Sequence, residues 1–173
     1  MSSPGEPLPA ADLSAHPGVA RVLEVLARHR IRTTVRFLPD AVRTAAAAAE
    51  ALGTTPGEIA NSLVFATRAH DGHTGPLLVL ASGDHRVDVD RVADLAGLAA
   101  VERATPEQVR AWTGFAIGGV APVGHPHPIR TIVDVSLGRH DTVWAAAGHS
   151  HSVFSTSYDE LLRVTGGQPM EVA

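Results

Sequence analysis

Ala116 to Pro128 reads AIGGVAPVGHPHP, and no other stretch of the chain gathers as much backbone-shaping chemistry in so few residues. Gly118 and Gly119 carry no Cβ, so they can reach positive φ and let another molecule approach the main chain closely. Pro122 fixes the exit of the bend and brings no N–H of its own. Consecutive amides held in such a bend form a concavity for an anion or an oxyanion. The plainer reading is a tight connection between two strands.

Working outward from this loop, both flanks read as folded elements. Downstream, Arg130 to Val135 and Thr142 to Ala147 look like core strands, with another at or near Val153. Ser157 is placed to cap a last helix whose Leu161, Leu162 and Val164 pack inward before Gly166 and Gly167. Upstream, Thr105 caps a short helix starting at Pro106 and running to Trp112. Val87 to Leu95 repeats its apolar residues at helical spacing and stops at Gly97. Pro76 to Ala81, PLLVLA, suits a buried strand. Thr55, Pro56 and Glu58 form a capping-box pattern ahead of a strand through Leu63 to Phe65, with Asn61 and Ser62 at the junction. Their local reading is that they satisfy nearby backbone groups. Thr44 to Leu52 is an alanine-rich helix ended by Gly53, Thr33 to Leu38 a strand, and Pro17 to His29 a helix. Met1 to Leu13, with Pro4, Pro7 and Pro9, reads as a mobile leader, leaving residues 14–173 as one domain. No repeat appears, and the irregular interleaving predicts a mixed sheet wrapped by helices.

Composition narrows the chemistry. The chain has 173 residues, 45% apolar and 18% charged, enough for a single sizeable core. It has no cysteine, so thiolate nucleophiles, thiolate metal sites and disulfides are excluded. It has no lysine either, all 14 basic residues being arginine, so no amine forms a Schiff base or clamps a phosphate. A formal charge of -4 gives no general attraction to nucleic acid, and any such contact falls to a local arginine patch or a partner. With no run of about 18 apolar residues and no basic-then-apolar N-terminus, the expected location is the cytoplasm.

Three segments, EIANSLVF, GFAIGGVAPVGHP and VDVSL…VWAAAGHSHSVF…YDELLRVTGG, resemble the YbaK/prolyl-tRNA synthetase-associated editing domain family in order and spacing, and VLASGDHRVDVDRVADLAGL resembles its middle segment. The resemblance spans about Val19 to Glu171. It implies an α+β fold around a mixed, partly barrel-like sheet, and hydrolysis of the ester joining a wrong amino acid to tRNA. It lays the family's Gly-x-x-x-Pro loop on Gly118, Gly119, Val120, Ala121 and Pro122, whose amides would hold the ester carbonyl and its oxyanion, each donor worth about 3 kcal/mol. It implies water attack assisted by the substrate's own ribose hydroxyl, and thus a site short of titratable groups. The family's lysine falls on Asn61, which can hydrogen-bond but brings no charge; Arg86 and Arg130 are the candidates to replace it. The resemblance makes Ser62, Phe65, Val123 and His149 candidate substrate contacts, with Val120 and Ile117 as further walls, and Asp134 a brace for the loop. For His149 the plainer reading is a solvent-touching histidine at a strand end.

The implied partners are the acceptor end of a mischarged tRNA and, second, an aminoacyl-tRNA synthetase, with no membrane, DNA, metal or cofactor. An editing pocket of this kind accepts a small amino acid, since excluding a larger one needs only sterics. His125 with His127 and His149 with His151 invite a metal, but neither pair has a third ligand at a recognisable spacing. The alternative to a deacylase is a non-catalytic module binding aminoacyl-tRNA, an amino acid or a nucleotide through the same cleft, and Asn61 in place of lysine is the feature that favours it.

Overall fold

The computed structural model describes residues 16–38, 44–150 and 152–173. The expected leader and His151 lie outside them. Helix α1 (Pro17–Arg28) opens with proline in its first turn, and the His16 ring Nδ1 accepts the Gly18 N–H at 3.1 Å. Its buried stripe is Val19, Val22 and Leu26. Strand β1 (Val35–Phe37) follows. Thr44 caps helix α2 (Ala45–Leu52) by accepting the Ala47 N–H, and Gly53 ends it in the left-handed region.

The segment after α2 departs from the sequence reading in two ways. Thr55 accepts no amide hydrogen bond; the Thr54 and Thr55 hydroxyls instead both donate to the Glu58 carboxylate, and Pro56–Glu58 remains one 3₁₀ turn. With its carboxylate occupied by two hydroxyls, Glu58 does not close a capping box. Strand β2 (Ile59–Arg68) then begins earlier than expected, so Asn61 and Ser62 lie inside a strand, opposite Ala81 and Leu80 of β3 (Thr74–Ser82). Inside a strand they cap no helix end, which leaves the two polar side chains free of a local capping duty.

Asp88 caps helix α3 (Val89–Ala96), and Thr105 caps α4 (Pro106–Thr113) in a reciprocal box: the Gln108 N–H donates to Thr105 Oγ1 at 3.2 Å, and the Thr105 N–H to Gln108 Oε1 at 2.9 Å. Between them lies β4 (Ala100–Arg103), a short strand the sequence pattern does not reveal. The chain closes with β5 (Arg130–Asp134), a 3₁₀ turn (Val135–Arg139), β6 (Val143–Ala146), β7 (Ser152–Thr156), α5 (Tyr158–Thr165) and β8 (Gln168–Met170).

These strands form one mixed sheet in the order β1-β7-β6-β2-β3-β5-β8, with β4 also on β2. Strand β2 is the hub. Along one edge it pairs antiparallel with all of β3; along the other it pairs parallel with β6 at Ile59 and Ala60 and antiparallel with β4 from Phe65 to Arg68. Pro169 is accommodated because β8 is an edge strand and needs no ladder donor there. The helices wrap the sheet. Val64, Leu78 and Leu80 pack with Val22 and Leu26 of α1 and Leu161 of α5. Phe65, Leu77 and Val79 pack with Val92 of α3, and Ile59 with Ala48 and Ala49 of α2. This is the α+β, helix-wrapped mixed sheet expected from the sequence. No described helix is long and apolar enough to cross a membrane.

Two points tie the wrapping together. Asp134, fully buried at the end of β5, accepts the Ser82 N–H at 3.0 Å, the Ser136 N–H at 2.9 Å and a contact from His85 Nδ1 at 2.7 Å. It therefore braces the end of β3 and the 3₁₀ turn, and not the Gly/Pro loop. The start of α1 meets the segment after β6 backbone to backbone: a Cβ on Gly18 would fall 2.5 Å from the Gly148 carbonyl oxygen. Gly18→Ala should therefore destabilise the protein by about 1–3 kcal/mol, as overpacking against an unyielding neighbour does. Gly75→Ala, where a Cβ meets nothing within 4 Å, should stay within about 0.5 kcal/mol of wild type. Urea unfolding of the two variants beside wild type checks both.

Candidate functional site

The Gly/Pro loop begins as a β-turn, with the Gly119 N–H donating to the Ala116 carbonyl at 3.0 Å. Gly118 sits third in the turn at φ +90°, the left-handed value a type II turn requires there. Gly119 serves a different purpose: a Cβ would lie 3.1 Å from the Ser150 nitrogen and 3.2 to 3.3 Å from the His149 backbone, so the turn lies directly on the 149–150 segment. Its amide is spent within the turn. Among the described residues, the Gly118, Val120 and Ala121 amides donate to no protein acceptor. Three donors therefore remain in the segment, where the sequence offered four.

The turn is a wall between two hollows. On one side is a cavity of about 60 Å³, lined by Asn61 and Ser62 of β2, Thr44 and Ala48 at α2, Trp144 of β6, Ser152 of β7, and Gly118 and Val120. None of the 14 described residues that line it has a side chain that titrates near neutrality. The Ser62 hydroxyl oxygen is buried there with no hydrogen-bond partner among the described residues. The Arg36 guanidinium stacks 5.4 Å from the Trp144 ring centroid, beside the same cavity. On the other side of the turn is a hollow of about 410 Å³, bordered by Ile117, Gly119, His149, His16, Arg21 and Arg110 among others. The His16 and His149 rings meet edge to face at 4.9 Å, and the Arg21 guanidinium lies 5.1 Å from the Phe115 ring centroid while Nη2 donates to the Gly114 carbonyl at 3.3 Å.

The residues singled out from sequence thus part company. Asn61, Ser62, Gly118 and Val120 share the small cavity; Gly119, Ile117 and His149 border the large hollow. Pro122 and Val123 line a third recess of about 260 Å³ with His125 and His127. Ala121 is wholly buried in the core. Phe65, 1% exposed, packs with Leu77 and Val92 on the α3 side of the sheet and lines none of these spaces. Arg86 is exposed on the turn after β3, and the Arg130 Nη2 donates to the Ala96 carbonyl at 3.0 Å. Neither arginine reaches the cavity of Asn61. Arg21, Arg110, Arg36 and Trp144 are the site residues the sequence did not point to: Arg21, Arg36 and Trp144 belong to elements away from the loop, and Arg110, close by in α4, carries no motif. Among the described residues, no three histidine, aspartate or glutamate side chains are grouped to hold a metal.

His125 stands behind the loop, its Nε2 2.9 Å from the Ala121 carbonyl. Burial holds its pKa below the usual 6.5, and the nearby Arg21 charge adds to the lowering, against the raising effect of the carbonyl. The ring is therefore neutral and donates Nε2–H to Ala121. Because the folded value is depressed, the unfolded chain binds more protons as pH falls below about 6.5, and stability declines with it. Between pH 7.5 and 5.5, His125→Gln should lose less stability than wild type, read from urea midpoints at each pH.

Residues 39–164 match the family model for an aminoacyl-tRNA editing domain. The chain is 34% identical over 114 residues to YwhH of Bacillus subtilis, covering 66% of this chain and 69% of that protein. It is 26% identical over 129 residues to EbsC of Enterococcus faecalis, which carries the assigned name Cys-tRNA(Pro)/Cys-tRNA(Cys) deacylase, covering 75% and 76%. A crystal structure of a protein assigned as a trans-editing enzyme for prolyl tRNA synthetase superposes with a TM-score of 0.81 at 39% identity, over 92% of this chain and 98% of that one.

Proposed function

The chain belongs to the aminoacyl-tRNA editing domain family, and from that premise we propose that it hydrolyses the ester of a tRNA charged with the wrong, small amino acid. The observation that carries this reading is the cavity of about 60 Å³ bounded by Gly118 and Val120. One water needs roughly 10–15 Å³ by the same measure, so the space takes a handful of heavy atoms and no large side chain. The uncommitted amides of Gly118 and Val120, both of which line the cavity, are the donors available to an ester carbonyl.

Chemistry at such a site needs little from side chains. Water oxygen adds to the carbonyl carbon, the carbonyl oxygen becomes an oxyanion held by backbone N–H groups, and collapse expels the ribose oxygen, which takes up a proton. The attacking water loses its proton with the help of the neighbouring ribose hydroxyl, since no described side chain lining the cavity titrates near neutrality. Asn61 supplies a carboxamide that donates to or accepts from the aminoacyl group. Ser62, its buried hydroxyl unpartnered, supplies the polar contact that distinguishes one small amino acid from another. The substrate partner is the acceptor end of the mischarged tRNA; likeness to the prolyl trans-editing protein makes a synthetase the second partner. The binding-module reading rests on Asn61 alone.

Deacylation of a panel of mischarged tRNAs tests this. Wild type should turn over tRNA bearing alanine, serine, threonine or cysteine and spare larger residues, and Gly118→Ala should reduce turnover by one to two orders of magnitude by straining the turn. Ser62→Ala should lower turnover on the preferred substrate about tenfold, the worth of one hydrogen bond, without lowering the urea midpoint. Faster turnover in Asn61→Lys would mean that a positive charge assists the reaction; loss would mean that the carboxamide has its own contact. Binding without turnover across the panel would overturn the hydrolase reading.

A further inference from the structure

The large hollow has a chemical character that the small cavity lacks. Of the 13 described residues that line it, two are arginines and two histidines, and none is a carboxylate, although the whole chain carries 18 acidic residues against 14 basic ones. The Arg110 guanidinium makes no ion pair or hydrogen bond among the described residues, only its carbonyl accepting the Gly114 N–H. Arg21 spends one guanidinium nitrogen on the Gly114 carbonyl and keeps the rest of its fork. Two arginines free of carboxylate partners among the described residues favour an oxyanion such as a phosphate. The remaining wall is flat or apolar: Phe115, the His149 ring and Ile117, which is 56% exposed at the crown of the turn. About 410 Å³ falls in the range of nucleoside-sized pockets, roughly 300–1,000 Å³.

We propose that this hollow seats a nucleoside phosphate, the phosphate at Arg21 and Arg110 and the base against Ile117 and the His149 ring. Position relative to the small cavity makes the fit specific. Gly118 and Val120 face the small cavity while Ile117 and Gly119 face the hollow, so a ligand with an amino acid in the first and a nucleotide in the second crosses the wall at this turn. The ester of an aminoacylated terminal nucleotide is such a ligand. This inference rests on the hydrolase reading for the identity of the nucleotide, but not for the phosphate site itself. The charge that Asn61 cannot supply is then carried by arginines from α1 and α4, on the nucleotide and away from the scissile carbonyl.

The test is calorimetric titration of the full chain with adenosine 5′-monophosphate, adenosine, inorganic phosphate and an uncharged RNA hairpin ending in CCA. Adenosine 5′-monophosphate should bind at least about tenfold more tightly than adenosine or phosphate, and Arg110→Gln and Arg21→Gln should each cost about tenfold. Arg21→Lys should keep most of the affinity, and Arg163→Gln, an exposed charge on α5, should change nothing. A hairpin tighter than the mononucleotide identifies the RNA end as the source; equal affinity identifies a free mononucleotide. Phosphate binding as tightly as the mononucleotide, or mononucleotide affinity unchanged in a folded Arg21→Gln/Arg110→Gln double variant, overturns the proposal. On mischarged tRNA the arginine variants should raise KM about tenfold with kcat within about twofold. Deacylation with KM unmoved in both variants sinks this inference and leaves the hydrolase standing. Arginine-dependent mononucleotide binding without any deacylation does the reverse.

Discussion

Backbone against backbone, with no side chain between, is the contact on which the site depends. Gly18 meets Gly148, and Gly119 meets the His149–Ser150 main chain. These contacts bring three segments to one place: the start of α1, the turn at Ala116–Gly119 and the connection between β6 and β7. Any Cβ at Gly18 or Gly148 would force them apart, because the atoms opposite are carbonyl oxygens and not the ends of movable side chains. The turn is consequently fixed on two sides. It is held from within by its own Gly119–Ala116 bond and from beneath by the 149–150 segment. A rigid turn is what an oxyanion site needs, because donors already aimed at the developing charge do not have to reorganise during the reaction.

The sheet provides the second fixed wall. Asn61 and Ser62 lie in β2 opposite Ala81 and Leu80 of β3, directly after the pairing of Ile59 and Ala60 with β6, so the sheet and not their own side chains sets their positions. That leaves the Ser62 hydroxyl in a buried place without a partner, an arrangement that costs free energy unless something else satisfies it. Asp134 shows how the same fold treats a polar group with a structural role: its carboxylate is fully buried and receives two backbone N–H bonds and a histidine contact. The contrast between a satisfied Asp134 and an unsatisfied Ser62 separates a brace from the group proposed to contact the substrate.

Charge is distributed along the same lines. A chain with no lysine cannot place an ammonium group beside the ester, and neither Arg86 nor Arg130 approaches Asn61. Arg21 and Arg110 instead gather on the far side of the turn, with Arg21 stacked on Phe115. Burial, with the Arg21 field beside it, lowers the pKa of His125 behind the loop, and the neutral ring donates Nε2–H to the Ala121 carbonyl. The loop is thereby buttressed by an uncharged hydrogen bond at neutral pH.

Local chemistry fixed the elements whose signals lie within a few residues. Thr44 and Gly53 bound α2, Thr105 and Pro106 start α4, and Ser157 starts α5 as their side chains dictate. The order of motifs identified the fold and the Gly118 turn for the same reason, since left-handed φ is a property of one residue type. Where the outcome depended on a distant partner, local reading failed. Glu58 was drawn to two threonine hydroxyls, β2 took in Asn61 and Ser62 because β3 paired with them, and β4 and β8 exist only as additions to strands already in place. The division of the loop between a small cavity and an arginine-lined hollow is likewise tertiary. Which face of a turn meets which cavity is set by packing against segments near residues 18, 61, 110 and 149, and no sequence pattern local to the turn contains those distances.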